Sequence, residues 1–199
     1  MPAPTLVVLN PASRNGATGA RWRAIEARVR SALGDLEVAA TQGPRDAVRI
    51  AREAGLAGAG RLVVAGGDGT TGEVVTGLLE AGRASACELA LLPLGTGGDL
   101  ARGLGVPHDL EAALTRIRVG GSRRVDAGRV RYTAPDGTFR EAAFLNVASL
   151  GMSGLVTQLV NQAPKALGGR VSFLIGTLRG LARWKSRPVR LRLDGELVH

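Results

Sequence analysis

Leu62-Val63-Val64-Ala65-Gly66-Gly67-Asp68-Gly69-Thr70-Thr71-Gly72 decides the reading of this chain. Its four leading residues are apolar and read as a buried strand. The glycines that follow can turn backbone N–H groups toward one point, and with no Cβ in the way a phosphate can approach closely. A helix predicted over residues 73–80 adds unpaired N–H groups and the positive end of its dipole. Thr70 and Thr71 bring hydroxyl donors. Asp68 repels a bare anion, so its presence makes sense when Mg²⁺ bridges carboxylate and phosphate. Donors and acid together point to a metal–nucleotide rather than to phosphate alone.

Working outward, the same alternation of apolar runs and helical stretches holds on both sides. Residues 6–9 read as a strand, followed by a loop beginning Asn10-Pro11 and a helix over about 20–33. Residues 36–41 are a second strand, and Pro44 suits the first turn of a helix running to about 54. Beyond the glycine string, a strand over 88–92 ends in a second glycine turn, Pro93-Leu94-Gly95-Thr96-Gly97-Gly98-Asp99. Strand–helix alternation of this kind predicts an α/β fold with a mostly parallel sheet covered on both faces. Both glycine turns then fall at carboxyl ends of strands, where such sheets bind ligands. From about residue 125 the pattern changes. Residues 125–132, the turn Pro135-Asp136-Gly137 and residues 138–148 read as an antiparallel hairpin. A helix over about 171–184 follows, then a strand over 189–193, an Asp194-Gly195 turn and a short arm over 196–199. The expected division is therefore a nucleotide-binding domain over 1–125 and an incomplete antiparallel domain over 126–199. An open strand edge at 189–193 leaves room for pairing with a second copy, so a homo-oligomer is one expectation.

Composition removes several classes of function. The chain has 199 residues, of which 45% are hydrophobic and 22% charged, ordinary values for a folded protein. Its net charge of +9 comes almost wholly from arginine, since Lys165 and Lys185 are the only lysines. That charge invites a nucleic-acid reading, but only 3% of residues are aromatic and no recognised nucleic-acid motif is present, so no nucleic-acid partner is expected. The lone Cys87 precludes an intrachain disulfide and suits a reducing, cytoplasmic setting. No basic-then-apolar leader opens the sequence, and no apolar run approaches the roughly 18–20 residues of a membrane span. His108 and His199 are the only histidines; His108, in Val106-Pro107-His108-Asp109-Leu110, reads as an exposed helix start rather than a catalytic base. Neither lysine follows the glycines of a G-x-x-x-x-G-K-[ST] loop, which excludes P-loop NTPases. Gly67, Gly69 and Gly72 also fit G-x-G-x-x-G, but that fingerprint normally follows the first strand, and here it follows the third.

Gly66-Gly67-Asp68-Gly69-Thr70, the turn from Pro93 to Asp99 and Asn10-Pro11 ahead of a glycine loop resemble the diacylglycerol kinase catalytic domain family, which includes bacterial lipid kinases and sphingosine kinases. The likeness extends to Phe144-Leu145-Asn146-Val147-Ala148-Ser149-Leu150-Gly151. The first glycine string is shared with NAD kinases and phosphofructokinases, whereas the second turn belongs to the lipid branch. The resemblance implies a three-layer nucleotide domain followed by a β-sandwich, with ATP and Mg²⁺ as cofactors. By position it implies ATP contacts at Asn10, Thr41, Gly66, Gly67, Asp68, Gly69, Thr70, Thr71, Gly72 and Thr96, and a metal–water network of Asp68, Asp99 and Asp126. The residues alone support Asp68 and Asp99, both at strand ends; for Asp126 only the resemblance speaks. The Ser13-Arg14-Asn15-Gly16 loop is expected to line the same cleft.

Three departures bear on catalysis. Gly72 and Gly98 stand where the family usually carries asparagine, and each removes a carboxamide able to hold a phosphate, a water or a neighbouring loop. The family's proposed general base, an acid, lies in a part of the sandwich beyond His199, so the catalytic residue is left unassigned. Asp194 and Glu196 sit in a turn whose chemistry alone explains an acid. The expected function is phosphoryl transfer from ATP to a lipid hydroxyl, diacylglycerol by default, in the complete protein. The rival readings are a truncated, non-catalytic nucleotide-binding remnant and an ATP- or polyphosphate-dependent kinase of a soluble substrate such as NAD. Arg179, Arg183, Lys185, Arg187, Arg190 and Arg192 gather around Trp184, a composition suited to the inner face of an anionic membrane or to a solvated helix face.

Overall fold

The computed structural model describes residues 5–95, 98–134, 136–162, 169–186 and 188–198. Two compact units divide the chain, Met1–Ala148 and Ser149–His199. The first opens with β1 (Thr5–Leu9), α1 (Ala17–Leu33), β2 (Leu36–Ala40), α2 (Asp46–Leu56), β3 (Arg61–Gly66), α3 (Asp68–Glu80) and β4 (Glu88–Pro93). It continues through the short α4 (Asp99–Gly103), α5 (Leu110–Val119) and the strands β5 (Gly128–Thr133) and β6 (Phe139–Phe144). β1 to β4 form one parallel sheet in the order β2-β1-β3-β4.

Alternation along the strands builds a core on each face of this sheet. Val7, Leu9, Val63, Ala65 and Leu92 point to one side, where α1 supplies Trp22, Ile25 and Val29 and α5 supplies Leu110, Ala113 and Leu114. Val8, Leu62 and Val64 point to the other, against Ala47, Ile50 and Ala51 of α2 and Val74 and Leu78 of α3. Neighbouring strand residues therefore serve opposite faces, as the two-residue period of a strand requires. The result is three layers, helix–sheet–helix.

Sequence and structure differ at several boundaries. Pro44 precedes α2 instead of opening it, and Arg45 (φ 64°) caps the helix in the left-handed region. α3 begins at Asp68, so Asp68 to Gly72 are its first turn rather than a loop leading to it. Gly67 is extended (φ −115°, ψ −172°), which turns the chain within one residue, and the Thr71 N–H closes the first turn on the Gly67 carbonyl at 3.0 Å. β5 and β6 pair antiparallel, Gly128 opposite Phe144, and β6 lies on α3. That packing is why the hairpin belongs to the first compact unit although the change of pattern begins near residue 125.

The second unit holds α6 (Met152–Gln162), α7 (Gly169–Arg183), β7 (Leu191–Leu193) and β8 (Glu196–Val198). α6 has no counterpart in the sequence reading. It packs on α7 where Gly176 and Gly180 face Val160 and Val156. β7 and β8 pair antiparallel around Asp194 (φ 50°) and Gly195 (φ 90°), the two left-handed residues that a tight hairpin turn demands. Antiparallel pairing after residue 125 thus takes the form of two separate strand pairs. Among the described residues no helix is long and apolar enough to cross a membrane.

Cys87 lies buried in the α2–α3 core just before β4. Burial pushes its thiol above the usual range, leaving little thiolate at neutral pH. Native protein is expected to react with a thiol reagent such as iodoacetamide at least tenfold more slowly than urea-unfolded protein at pH 7.5. Equal rates would show that this edge of the sheet opens freely.

Candidate functional site

The carboxyl ends of all four parallel strands are laced together beyond the ladders themselves. Thr41 N–H donates to the Leu9 carbonyl (2.8 Å), Asn10 N–H to Ala65 (3.0 Å) and Gly95 N–H to Gly66 (3.0 Å). These bonds bring the segments after β1, β2, β3 and β4 to one edge. β1 leads to α1 on one face and β3 to α3 on the other, so a crevice opens between neighbouring strands whose connections diverge.

α3 starts in this crevice. Among the described residues no side chain caps its first turn, and that leaves the leading N–H groups available to an anion. The residues around that turn divide into donors and scaffold. Asn10 Nδ2 donates to Thr70 Oγ1 (2.9 Å), while Asn10 Oδ1 accepts from the N–H groups of Ala12 (3.1 Å) and Ser13 (3.2 Å). Asn10 is thereby a clamp between the β1 loop and α3. Thr70 is buried and Thr71 donates its hydroxyl back to the Gly67 carbonyl (3.2 Å). Both hydroxyls thus serve the turn, and the backbone donors face outward. Thr41 is buried at the end of β2. Thr96 and Gly97 lie outside the described residues.

The second glycine turn is pressed onto the first. A Cβ on Gly95 would stand 2.5 Å from Gly67 Cα and 2.9 Å from Gly67 N. Asp99 N–H donates to Asp68 Oδ2 (3.0 Å), and the Asp99 carboxylate pairs with Arg102. The two acids supported by the sequence are therefore joined through one hydrogen bond. Asp126 is exposed in the segment between α5 and β5. Among the described residues no group of three or more His, Cys, Asp or Glu side chains could hold a metal ion by itself. Mg²⁺ typically takes one or two carboxylates and fills its remaining positions with phosphate oxygens and water. Asp68 and Asp99 fit that pattern, whereas an all-protein cage does not.

Two contacts at this edge have no local sequence signal. His108 is exposed and precedes Asp109, which caps α5 by accepting from Ala112 N–H (2.9 Å), so the expected helix start is present. Its ring, however, lies against Gly98: a Cβ there would meet His108 Cε1 at 2.7 Å. The imidazole takes up space beside Gly98 (φ 72°) that a larger residue would need. Thr76, two turns into α3, donates to the Gly72 carbonyl (2.7 Å) and accepts from Ala143 N–H (2.9 Å). Its spacing marks a helix interior and nothing more, so no local signal reveals the second bond.

The approach of Gly95 to Gly67 leaves no room for a methyl group. Gly95→Ala is expected to cost about 1–3 kcal/mol, as overpacking does. Gly60→Ala, where the added Cβ meets nothing within 4 Å, is expected to be near neutral in the same urea titrations. Equal midpoints for the two variants would contradict the packing of the turns.

Comparison with known proteins agrees with this geometry. The family model of the diacylglycerol kinase catalytic domain matches residues 4–130. A "Probable lipid kinase YegS-like" from Chromohalobacter salexigens is 38% identical over 176 residues, covering 85% of this chain and 52% of that protein. A protein of the same description from Klebsiella pneumoniae is 36% identical, covering 83% and 52%. The chain thus spans about half the length of the curated relatives it matches. Among solved structures, a diacylglycerol kinase from Bacillus anthracis is 29% identical with a TM-score of 0.53, covering 63% of this chain and 46% of that one. A second structure from that organism, 23% identical, superposes over 98% of this chain and 60% of its own with a TM-score of 0.65, a likeness of fold. Matched over most of its first compact unit, the chain belongs to the diacylglycerol kinase catalytic domain family.

Proposed function

We propose that the chain is the nucleotide-binding part of an ATP- and Mg²⁺-dependent lipid kinase, which transfers the γ-phosphoryl group to a lipid hydroxyl, diacylglycerol by default. One observation carries the reading: an uncapped helix start, reached through Gly66 and Gly67, stands beside a hydrogen-bonded pair of acids at the carboxyl edge of the sheet. In this reading the first-turn N–H groups from Gly67 to Thr70 receive the phosphates. Thr41 and Thr96 border the nucleotide, and Asn10 with the residues after it walls the β1 side. Bound Mg²⁺ would neutralise charge on the phosphate oxygens. Asp68 and Asp99 would orient it directly or through water, with Asp126 as the third acid that the family pattern suggests. Phosphoryl transfer depends chiefly on such positioning and charge stabilisation.

The acceptor hydroxyl still needs a base. We place that group in the portion of the relatives that this chain does not match, so residues 1–199 alone are expected to bind nucleotide but to label little diacylglycerol in mixed micelles. His108 against Gly98, where the family usually has asparagine, favours a second reading in which nucleotide binding survives without turnover. Robust labelling by residues 1–199 would overturn both placements.

We further propose a cytoplasmic protein that meets its lipid at the inner face of the membrane. α7 exposes Phe173, Leu174, Leu178 and Leu181, and Arg179, Arg183 and Lys185 accompany Trp184 nearby. Aromatic and basic groups of this kind favour an anionic interface, each cation contributing about 1 kcal/mol.

Calorimetry tests the nucleotide site. Mg-ATP is expected to bind the wild-type chain and to bind Gly67→Val at least tenfold more weakly, because a side chain there stands in the path by which a phosphate approaches the first-turn N–H groups. Asp99→Ala is expected to weaken Mg-ATP binding more than metal-free ATP binding, since the carboxylate acts through the cation. Equal heats from wild type and Gly67→Val would remove the site, and an equal loss with and without Mg²⁺ would make Asp99 structural.

A further inference from the structure

Thr76 joins two parts of the first compact unit that are 67 residues apart in sequence. A threonine inside a helix commonly returns its hydroxyl to the carbonyl four residues back, and the 2.7 Å bond to Gly72 is of that kind. The second bond is not. Ala143 N–H, on the side of β6 that does not pair with β5, donates to the same oxygen at 2.9 Å. The carbonyl of Ala143 also lies over the first turn of α3, 3.5 Å from where a Gly72 Cβ would stand. One strand residue, through its N–H and its carbonyl, therefore spans Gly72 and Thr76, successive positions on one face of the helix. Thr76 is buried, so its hydroxyl has little water to substitute for these partners, while the Ala143 N–H beside it is part-buried.

The turn held in this way is the one that needs holding. It contains Gly69 and Gly72, residues that weaken a helix by their freedom in the unfolded chain, and it has no side-chain cap. We propose that Thr76 is a positioning residue that staples the glycine-containing first turn of α3 to β6, making the seat of the phosphate-binding turn depend on the β5–β6 hairpin. The consequence for nucleotide binding rests on the function proposed above, whereas the staple itself does not.

Amide exchange of the nucleotide-free protein, followed by NMR, tests the staple. Thr76→Val keeps the shape and removes both donor and acceptor. It is expected to accelerate exchange about tenfold at Ala143 and at Thr71, whose N–H closes the first turn, while Val64 in the sheet core is unchanged. Thr76→Ser should match the wild type at both amides. Thr76→Ala also removes the hydroxyl, with a good helix former in its place, and should accelerate both amides alike; it decides the matter should Thr76→Val fail to fold. Acceleration confined to Ala143, or none at either amide, would overturn the staple. In calorimetry Thr76→Val is expected to bind Mg-ATP about tenfold more weakly and Thr76→Ser to bind normally. A wild-type chain that takes up no Mg-ATP would remove the proposed nucleotide function and leave the exchange result to decide the staple by itself. Undiminished binding by Thr76→Val would remove its link to the site.

Discussion

Two backbone segments, Gly66-Gly67 after β3 and Gly95 after β4, approach so closely that a Cβ on Gly95 would stand 2.5 Å from Gly67 Cα. The parallel register brings Gly66 level with Pro93, and the Gly95 N–H then continues the ladder to the Gly66 carbonyl at 3.0 Å. At that separation Gly95 has no space for a side chain against Gly67. The arrangement fixes where α3 starts and where the chain turns toward α4, and it allows Asp99 N–H to reach the Asp68 carboxylate. A sheet with longer or bulkier connections at these two strands would keep its core and lose this pair of acids.

The start of α3 and the residues just after it are held from three directions. Asn10 reaches Thr70 from the β1 side, the Arg45 N–H donates to Glu73 Oε1 (3.2 Å) from the β2 side, and Thr76 ties the turn to β6. Each tie comes from a segment at the carboxyl edge or packed on the helix, and each uses a group whose partner lies far away in sequence. The β1 loop itself carries three successive left-handed residues, Arg14, Asn15 and Gly16, before α1 begins. Such conformations cost energy and persist where the surroundings enforce them. Here Ser13 Oγ donates to Thr18 Oγ1 (2.6 Å), and Thr18 donates to the Leu94 carbonyl (3.2 Å), lacing that loop to the β4 turn.

The strands, their order of alternation with helices and the two glycine turns are legible in the sequence because each rests on local pattern: apolar runs, glycine strings, turn residues. Asp68 and Asp99 are legible for the same reason, as acids at the ends of strands, but the bond from Asp99 N–H to the Asp68 carboxylate is not. What sequence hides is non-local. The role of Asn10 as a clamp depends on Thr70, sixty residues away, and the hydroxyl of Thr71 is already committed to Gly67. The bond at Thr76 and the ring of His108 on Gly98 exist only once β6 and the segment before α5 are folded against the glycine turns. α6 is missed because its apolar residues are interspersed with small and polar ones, so the stretch reads as connection until α7 is seen to cover it.

The proposed function requires phosphates at the first turn of α3. A crystal structure of the chain with Mg²⁺ and a non-hydrolysable ATP analogue tests it most directly. Phosphate oxygens are expected within hydrogen-bond distance of the backbone N–H groups between Gly67 and Thr70, with the metal on the side of Asp68 and Asp99. A triphosphate bound elsewhere on the chain, leaving that turn in solvent, would contradict it.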